Sequence, residues 1–404
     1  MKKEERNKEK MEKGAERDVY AELGVKKVIN AAGTYTMVGG SRMSERTLAA
    51  MASAARSHVV IKELQARVHE RLAAITKNEA AYVTNGAACS LHITGAAAIA
   101  RHWGRPHASL TPEQTAKCEI VIHRAHRNPY DWALRLLGVK LVEVGYPNSI
   151  LPTTARELEL AITENTAAIY YFFMPPGGWL PSGALGFKET LEVAEKRGIP
   201  VVVDAAAQVP PVENLWAITG QGASACIFSG GKDLRGPQAS GLVVGRREFM
   251  DHVGATAFPT YGVGRMFKVG REEIAGLWSA VEEYVSMDHG ARALWAEERI
   301  AALESAFRGS PNVSVRRVFP NEAGQPMPQA LVRFNWEHRG VGNASESVSS
   351  RVLRLLAEGE PSIFSAAAGE DGIFVNPMTL RDDEFEAVTQ RLKEIEKEIE
   401  KETK

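Results

Sequence analysis

Hydrophobic positions along the chain change period several times, and each change predicts an element. Leu64, Val68, Leu72 and Ile75 recur every three or four residues, the period of a helix that buries one face. Ser44 precedes a second helical stretch reaching about Arg56, where its hydroxyl can cap the free amides of the first turn. Residues 28–34 read as a short strand entering a turn of small residues. From Ala81 the rhythm shifts to short, nearly continuous apolar runs at 81–84, 119–122, 140–144, 167–173, 200–204, 225–228 and 241–245, separated by helical stretches such as 188–197. Strands apolar on both faces must be covered on both faces, so this region predicts an α/β fold with a mostly parallel central sheet sandwiched by helices. Beyond Pro259 come two long amphipathic helices, 272–287 and 292–307, strands at 313–318 and 329–335, and a charged helix at 382–404. The expected division is a charged arm (1–19), an N-terminal segment (20–74), a large domain (75–255), and a connecting helix with a smaller α+β C-terminal domain (256–404).

Composition narrows the partners. The chain has 404 residues and a formal net charge of −1, so no general positive field is available to hold nucleic acid. None of its apolar runs approaches the roughly 20 residues needed to cross a bilayer. The first 18 residues alternate charges without the apolar core of a signal peptide, so export by that route is not expected and a cytoplasmic location is. Three widely spaced cysteines, Cys89, Cys118 and Cys226, suit neither a disulfide framework nor a zinc site.

In an open parallel sheet, ligands gather at the carboxyl ends of the strands. Asn85-Gly86-Ala87-Ala88 follows one strand and opens a helix, where small side chains let backbone N–H groups approach an anion. Asp204 closes the strand at 200–204, a costly place for a carboxylate without a cationic or hydrogen-bonding partner. Lys232 lies in Ser229-Gly230-Gly231-Lys232, directly after another strand, where desolvation lowers the pKa of an amine and makes it nucleophilic. These glycines do not form a nucleotide phosphate loop, because Cys226 and Asp233 occupy positions that require Gly and Ser or Thr. Gly262-Val263-Gly264 lacks the third glycine of a dinucleotide fingerprint. An anion cradle, a strand-end acid and a later strand-end lysine together suit pyridoxal 5'-phosphate, which needs a phosphate site, a partner for its ring nitrogen and an amine for a Schiff base.

The same segments carry a family resemblance. Residues 28–34, Asn85-Gly86-Ala87-Ala88, His126-Arg127-Asn128-Pro129-Tyr130-Asp131, Val203-Asp204-Ala205-Ala206-Ala207-Gln208 and Phe228-Ser229-Gly230-Gly231-Lys232 resemble the fold-type I pyridoxal-phosphate enzymes, in the branch containing selenocysteine synthase and D-glucosaminate-6-phosphate ammonia-lyase. The resemblance implies that Lys232 binds the cofactor and serves as base or acid at Cα, and that Asp204 pairs with the ring nitrogen. It further implies that Gly86, Ala87, Ala88 and Ser229 hold the phosphate, that Gln208 lies near the phenolic oxygen, and that His126, with His123 as rival, stacks on the ring. The two histidines lack a third ligand in their loop, and no metal is expected. Arg265, Lys268 and Arg42, with Arg127 and Arg271 as further candidates, are the cations available for a small anionic substrate.

The implied reaction is loss of water and ammonia from a β-hydroxy amino acid such as D-glucosaminate 6-phosphate. Racemisation, aldol cleavage or group transfer on the same Lys-Asp pair stay open. A regulatory or carrier protein that binds the cofactor without catalysis would need a partner domain such as a helix-turn-helix, and the sequence displays none. The resemblance also implies a homo-oligomer, at least a dimer, with each site built from two chains.

Overall fold

The computed structural model describes residues 18–175, 178–335 and 346–403. The charged arm expected at 1–19 therefore lies almost wholly outside the described residues.

Helices of seven or more residues are numbered here. The chain enters through strand β1 (Val28–Asn30) and helices α1 (Glu45–Ala55) and α2 (Ile61–Ile75). Ser44 caps α1 by accepting the Thr47 N–H at 3.2 Å. The large unit then alternates β2 (Ala80–Thr84), α3 (Ala87–Trp103), β3 (Glu119–His123), β4 (Lys140–Val144), α4 (Ala155–Ala161), β5 (Thr166–Phe172), α5 (Phe187–Arg197), β6 (Val201–Asp204), α6 (Asn214–Gly220), β7 (Ala225–Ser229), β8 (Gly241–Gly245) and α7 (Arg247–Thr256).

Its seven strands lie in the order β2-β8-β7-β6-β5-β3-β4, parallel except that β8 runs antiparallel to both neighbours. Side chains of successive residues go to opposite faces. Val201, Val203, Cys226 and Phe228 belong to one buried apolar cluster, and Val202, Ala225 and Ile227 to another. That alternation is the two-sided burial the continuous apolar runs predict, and the mostly parallel α/β sandwich is what the structure contains.

Helices α8 (Arg271–Ser286) and α9 (His289–Ala306) follow. Helix α9 starts three residues before the expected Arg292, because Asp288 accepts the Ala291 N–H at 2.8 Å and caps the turn there. The smaller unit holds β9 (Val313–Val318), β10 (Gln329–Phe334), α10 (Val348–Glu358), β11 (Ser362–Phe364), β12 (Ala366–Ala367), β13 (Gly372–Val375) and α11 (Asp382–Thr403). Strands β12, β13, β10 and β9 form an antiparallel sheet in that order.

The N-terminal segment is shared between the two units. Strand β1 pairs in parallel with β11, Ile29 opposite Ile363, and Ala31 is buried in the smaller unit's core, whereas α1 and α2 pack on α8. The chain between β1 and α1 must therefore bridge the units, and it does so along one edge of the principal cavity.

Candidate active site

Strands β2, β5, β6 and β7 all present their carboxyl ends to a cavity of about 780 Å³, a volume suited to a cofactor with a small substrate. Its strand-end wall includes Gly86, Ala87, Ala88, Asp204, Gln208, Ser229 and Lys232, seven residues singled out in the sequence and brought together here by sheet topology.

Gly86 stands before α3 at φ +86°, a conformation that favours glycine, and lets the chain turn from strand into helix without a side chain over the cavity. The opening amides of this 17-residue helix have no carbonyl partner one turn earlier, so they and the helix dipole favour an anion.

Asp204 ends β6 with 4% of its surface exposed. Its Oδ1 accepts the Ala206 N–H at 3.0 Å. Burial pushes its carboxyl up to about 6, although that hydrogen bond and the charge of Lys232 pull the other way. Burial likewise lowers the Lys232 amine below the ordinary lysine value, opposed by the charge of Asp204. A cation beside Asp204 would return its carboxyl to the ionised form.

The Lys232 loop is held from several directions. Gly230 donates to the Ser240 carbonyl at 2.9 Å, Ser41 N–H donates to the Gly231 carbonyl at 3.0 Å, and Ser41 Oγ donates to the Lys232 carbonyl. A Cβ at Gly231 would lie 2.6 Å from the Gln238 Cα, so this close approach requires glycine. Beside Lys232, Asp233 is buried and accepts two bonds from the Arg292 guanidinium (2.6 and 2.5 Å) and one from Tyr284 Oη (2.9 Å). The lysine loop is thus fastened to α8 and α9.

The smaller unit supplies another wall, with Glu322, Ala323, Gln325, Asn376 and Met378, and the connection after β1 adds Thr34, Tyr35, Thr36 and Met37. Gln325 Nε2 donates to the carbonyls of Ala207 (2.6 Å) and Val209 (2.7 Å), while Gln208 Nε2 donates to the Ala323 carbonyl at 3.0 Å. These bonds knit the segment after Asp204 to the loop carrying Glu322. The Gln208 Oε1 is buried without a hydrogen-bond partner, a free acceptor on the wall.

Other residues singled out in the sequence lie elsewhere. His126 is buried behind the wall: its Nδ1 accepts the Phe172 N–H at 3.2 Å, and its ring packs edge-on to Tyr171 with centroids 4.6 Å apart. Burial brings it down to about 3 and His123 to about 4, so both rings are neutral at pH 7. Pro129 and Tyr130, from the same loop, line the cavity instead. Arg42 is engaged by Glu384 (2.6 and 2.7 Å) and by the Thr379 carbonyl at 2.9 Å. Arg127 pairs with Asp131 and Glu143, and Arg271 donates to the carbonyls of Ala54 and Ala55 at the end of α1. Arg265 lies over the Phe258 ring, 5.7 Å from its centroid, and both it and Lys268 are exposed. Lys232 is the only Lys or Arg on the cavity wall among the described residues.

Sequence reasoning missed Glu322, Gln325 and Asn376. Asn321-Glu322-Ala323-Gly324-Gln325 reads locally as a polar turn, and nothing in its spacing announces a cavity.

A half-buried lysine and a buried carboxylate at adjacent strand ends, beside a helix N-terminus in this sheet topology, define a fold-type I pyridoxal-phosphate enzyme. The chain belongs to the L-seryl-tRNA selenium transferase (SelA) family, whose model matches residues 28–310. It is 31% identical over 388 residues to the D-glucosaminate-6-phosphate ammonia lyase of Salmonella typhimurium, covering 94% of this chain and 98% of that protein. It is 30% identical over 385 residues to a 5'-C-glycyluridine monooxygenase-decarboxylase of a Streptomyces species, covering 93% and 91%. A solved structure of D-glucosaminate-6-phosphate ammonia-lyase superposes with a TM-score of 0.78 at 29% identity, over 95% of this chain and 99% of that one. The protein is therefore an enzyme that depends on pyridoxal phosphate. No helix among the described residues is long and apolar enough to cross a membrane.

Proposed function

We propose that this enzyme eliminates water and ammonia from a β-hydroxy amino acid, D-glucosaminate 6-phosphate or a related 2-amino sugar acid. The observation that carries the reading is the 31% identity to the ammonia lyase over nearly the full length of both chains.

The residues present fit the cofactor. Free first-turn amides at Gly86, Ala87 and Ala88, with Ser229 beside them, suit its phosphate; the buried carboxylate of Asp204 suits a protonated ring nitrogen; and the unpartnered Gln208 Oε1 offers an acceptor on the wall. Bound there, pyridoxal phosphate supplies a ring that accommodates the electron pair left at Cα when a proton is removed. Lys232, its amine made less basic by burial, removes that proton. His126 acts from behind the wall, orienting the Phe172 backbone at the end of β5.

Substrate anions must be met by cations beyond this cavity wall. The exposed turn carrying Arg265 and Lys268, with Tyr261 84% and Met266 71% exposed beside them, is proposed to reach the site of a second copy in a homo-oligomer. Arg42, held by Glu384 and the Thr379 carbonyl, is not on the cavity wall.

Absorbance near about 410–430 nm, lost in Lys232→Ala, tests the lysine assignment. Incubation with D-glucosaminate 6-phosphate and a panel of D- and L-amino acids tests the reaction, scored for ammonia, keto acid and Cα deuterium exchange. Exchange without ammonia would point to racemisation and overturn the lyase reading. The Streptomyces relative favours a second reading, oxidative decarboxylation, in which oxygen uptake and CO₂ release replace ammonia.

A further inference from the structure

The mechanism above leaves one step without a residue. Removal of the Cα proton is served by Lys232, but the β-hydroxyl is a poor leaving group unless it receives a proton as it departs.

Glu322 stands on the cavity wall contributed by the smaller unit. Its position is set by an amide scaffold. Gln329 donates to Glu322 Oε2 at 2.5 Å and accepts the Glu322 N–H at 3.1 Å, and the Asn376 side chain hydrogen-bonds to the same carboxyl. On either side, the Asn321 Oδ1 accepts the N–H groups of Ala323 (3.1 Å) and Gln325 (3.0 Å), and Gln325 ties the loop to Ala207 and Val209. The carboxyl is held by neutral amides and makes no ion pair with Lys or Arg among the described residues. Burial raises its pKa above the ordinary glutamate value, although the hydrogen bonds from its own backbone, Asn376 and Gln329 pull the other way.

Only two carboxyl groups line the cavity among the described residues, and they lie on different walls. Asp204 is committed beneath the strand-end site, next to Lys232. The Tyr35 phenol is a much weaker acid than a carboxyl, and burial raises its pKa further.

We propose that Glu322 is a further catalytic residue, the general acid that protonates the departing β-hydroxyl from the cavity wall contributed by the smaller unit. The assignment rests on the lyase reading given above. As the Cα–H bond breaks, its proton goes to the Lys232 amine. The electron pair released at Cα forms the second Cα–Cβ bond as the Cβ–O bond breaks. The oxygen leaves with its bonding pair, takes the Glu322 proton and departs as water, and the Glu322 carboxylate is reprotonated from solvent. No oxidant or reductant is consumed.

The test compares leaving groups in the holoenzyme and its Glu322→Gln variant, which keeps the shape and hydrogen-bonding capacity of the side chain. Ammonia release from D-glucosaminate 6-phosphate should fall about 10²–10⁴-fold, the contribution expected of a general acid. Elimination from β-chloroalanine, whose chloride leaves without a proton, should stay within about threefold of wild type, since no acid is required. Retained Cα deuterium exchange into the hydroxy substrate provides a second readout that the lysine side still works. Equal losses on both leaving groups, with exchange lost as well, would show a merely structural role and overturn the assignment; so would undiminished ammonia release. A wild-type enzyme that eliminates chloride yet releases no ammonia from any hydroxy amino acid would overturn the lyase reading itself, and the acid role with it.

Discussion

The two walls of the cavity are built on different principles. At the strand-end wall, each chemical group occupies a position dictated by the sheet: Asp204 closes β6, Ser229 closes β7, and Gly86 stands between β2 and α3. Backbone geometry alone brings these positions to one edge, because parallel strands end together. The wall from the smaller unit has no such rule. Glu322, Gln325 and Asn376 come from the smaller unit's connections, Thr34 to Met37 come from the bridge after β1, and side-chain amides bonded to backbone carbonyls hold the assembly in place. On the function proposed above, the strand-end wall would carry what every reaction of the cofactor needs. The amide-held wall would carry what differs between substrates, since its loops can change without disturbing the sheet.

Substitutions can break this contrast. The largest effect is expected from Arg292→Leu, which leaves Asp233 as a buried carboxylate without its cation and should cost about 3–5 kcal/mol of stability, measured by denaturant unfolding. Loss of the 410–430 nm band under conditions where the protein remains folded would show that the anchor also positions Lys232. Next, Asp204→Ala should lower turnover about 10²–10³-fold, as when a preorganised electrostatic partner is removed, with much less effect on unfolding. Turnover close to wild type would separate Asp204 from the chemistry.

Gln325→Leu tests the other wall. It strips hydrogen bonds from the Ala207 and Val209 carbonyls and should cost about 1–3 kcal/mol. Its signature should be a raised KM with the cofactor spectrum unchanged; an altered spectrum would mean that the walls are not independent.

The smallest effect is a pH dependence. His69, His123 and His126 are brought down by burial to about 3, 4 and 3, so between the unfolded imidazole value near about 6.5 and those values the unfolded chain binds more protons. Their contribution to stability is complete above about pH 6.5 and is lost as pH falls toward the folded values. Asp204, raised to about 6, has the opposite sign over the window from about 6 down to about 3.9, where the folded chain binds the extra proton and stability rises as pH falls. The three imidazoles outnumber it, so the cofactor-free protein should lose stability from pH 7 to pH 5, and Asp204→Asn should steepen that loss.

Much of the strand-end wall was legible because its signals are local. An apolar run ending in Asp204, a Gly-Gly-Lys turn after another run, and a small-residue turn before a helix each follow from a few adjacent residues. The histidines were harder. The loop containing His126 does border the cavity, but Pro129 and Tyr130 face it, whereas His126 turns its Nδ1 to the backbone of β5. A sequence can place a loop at a sheet edge without specifying which side chains turn outward. Cations were harder still, since Arg42 looks the same in sequence whether it meets a substrate or, as found, Glu384 some 340 residues away. Strand β1 could be recognised as a strand, but its pairing with β11 could not.

By itself, then, the sequence determined the α/β class, the parallel sheet, and the identity and order of the groups that suit pyridoxal phosphate. Those properties depend on periodicity and on residues next to one another. Tertiary structure alone decided that Glu322 lines the same cavity as Lys232, that the Lys232 loop is fastened to α8 and α9 through Asp233, and that the N-terminal segment is shared between two units. Each of these depends on contacts between residues distant in the chain, whose hydrogen bonds and ion pairs form only once the sheet and the smaller unit have packed.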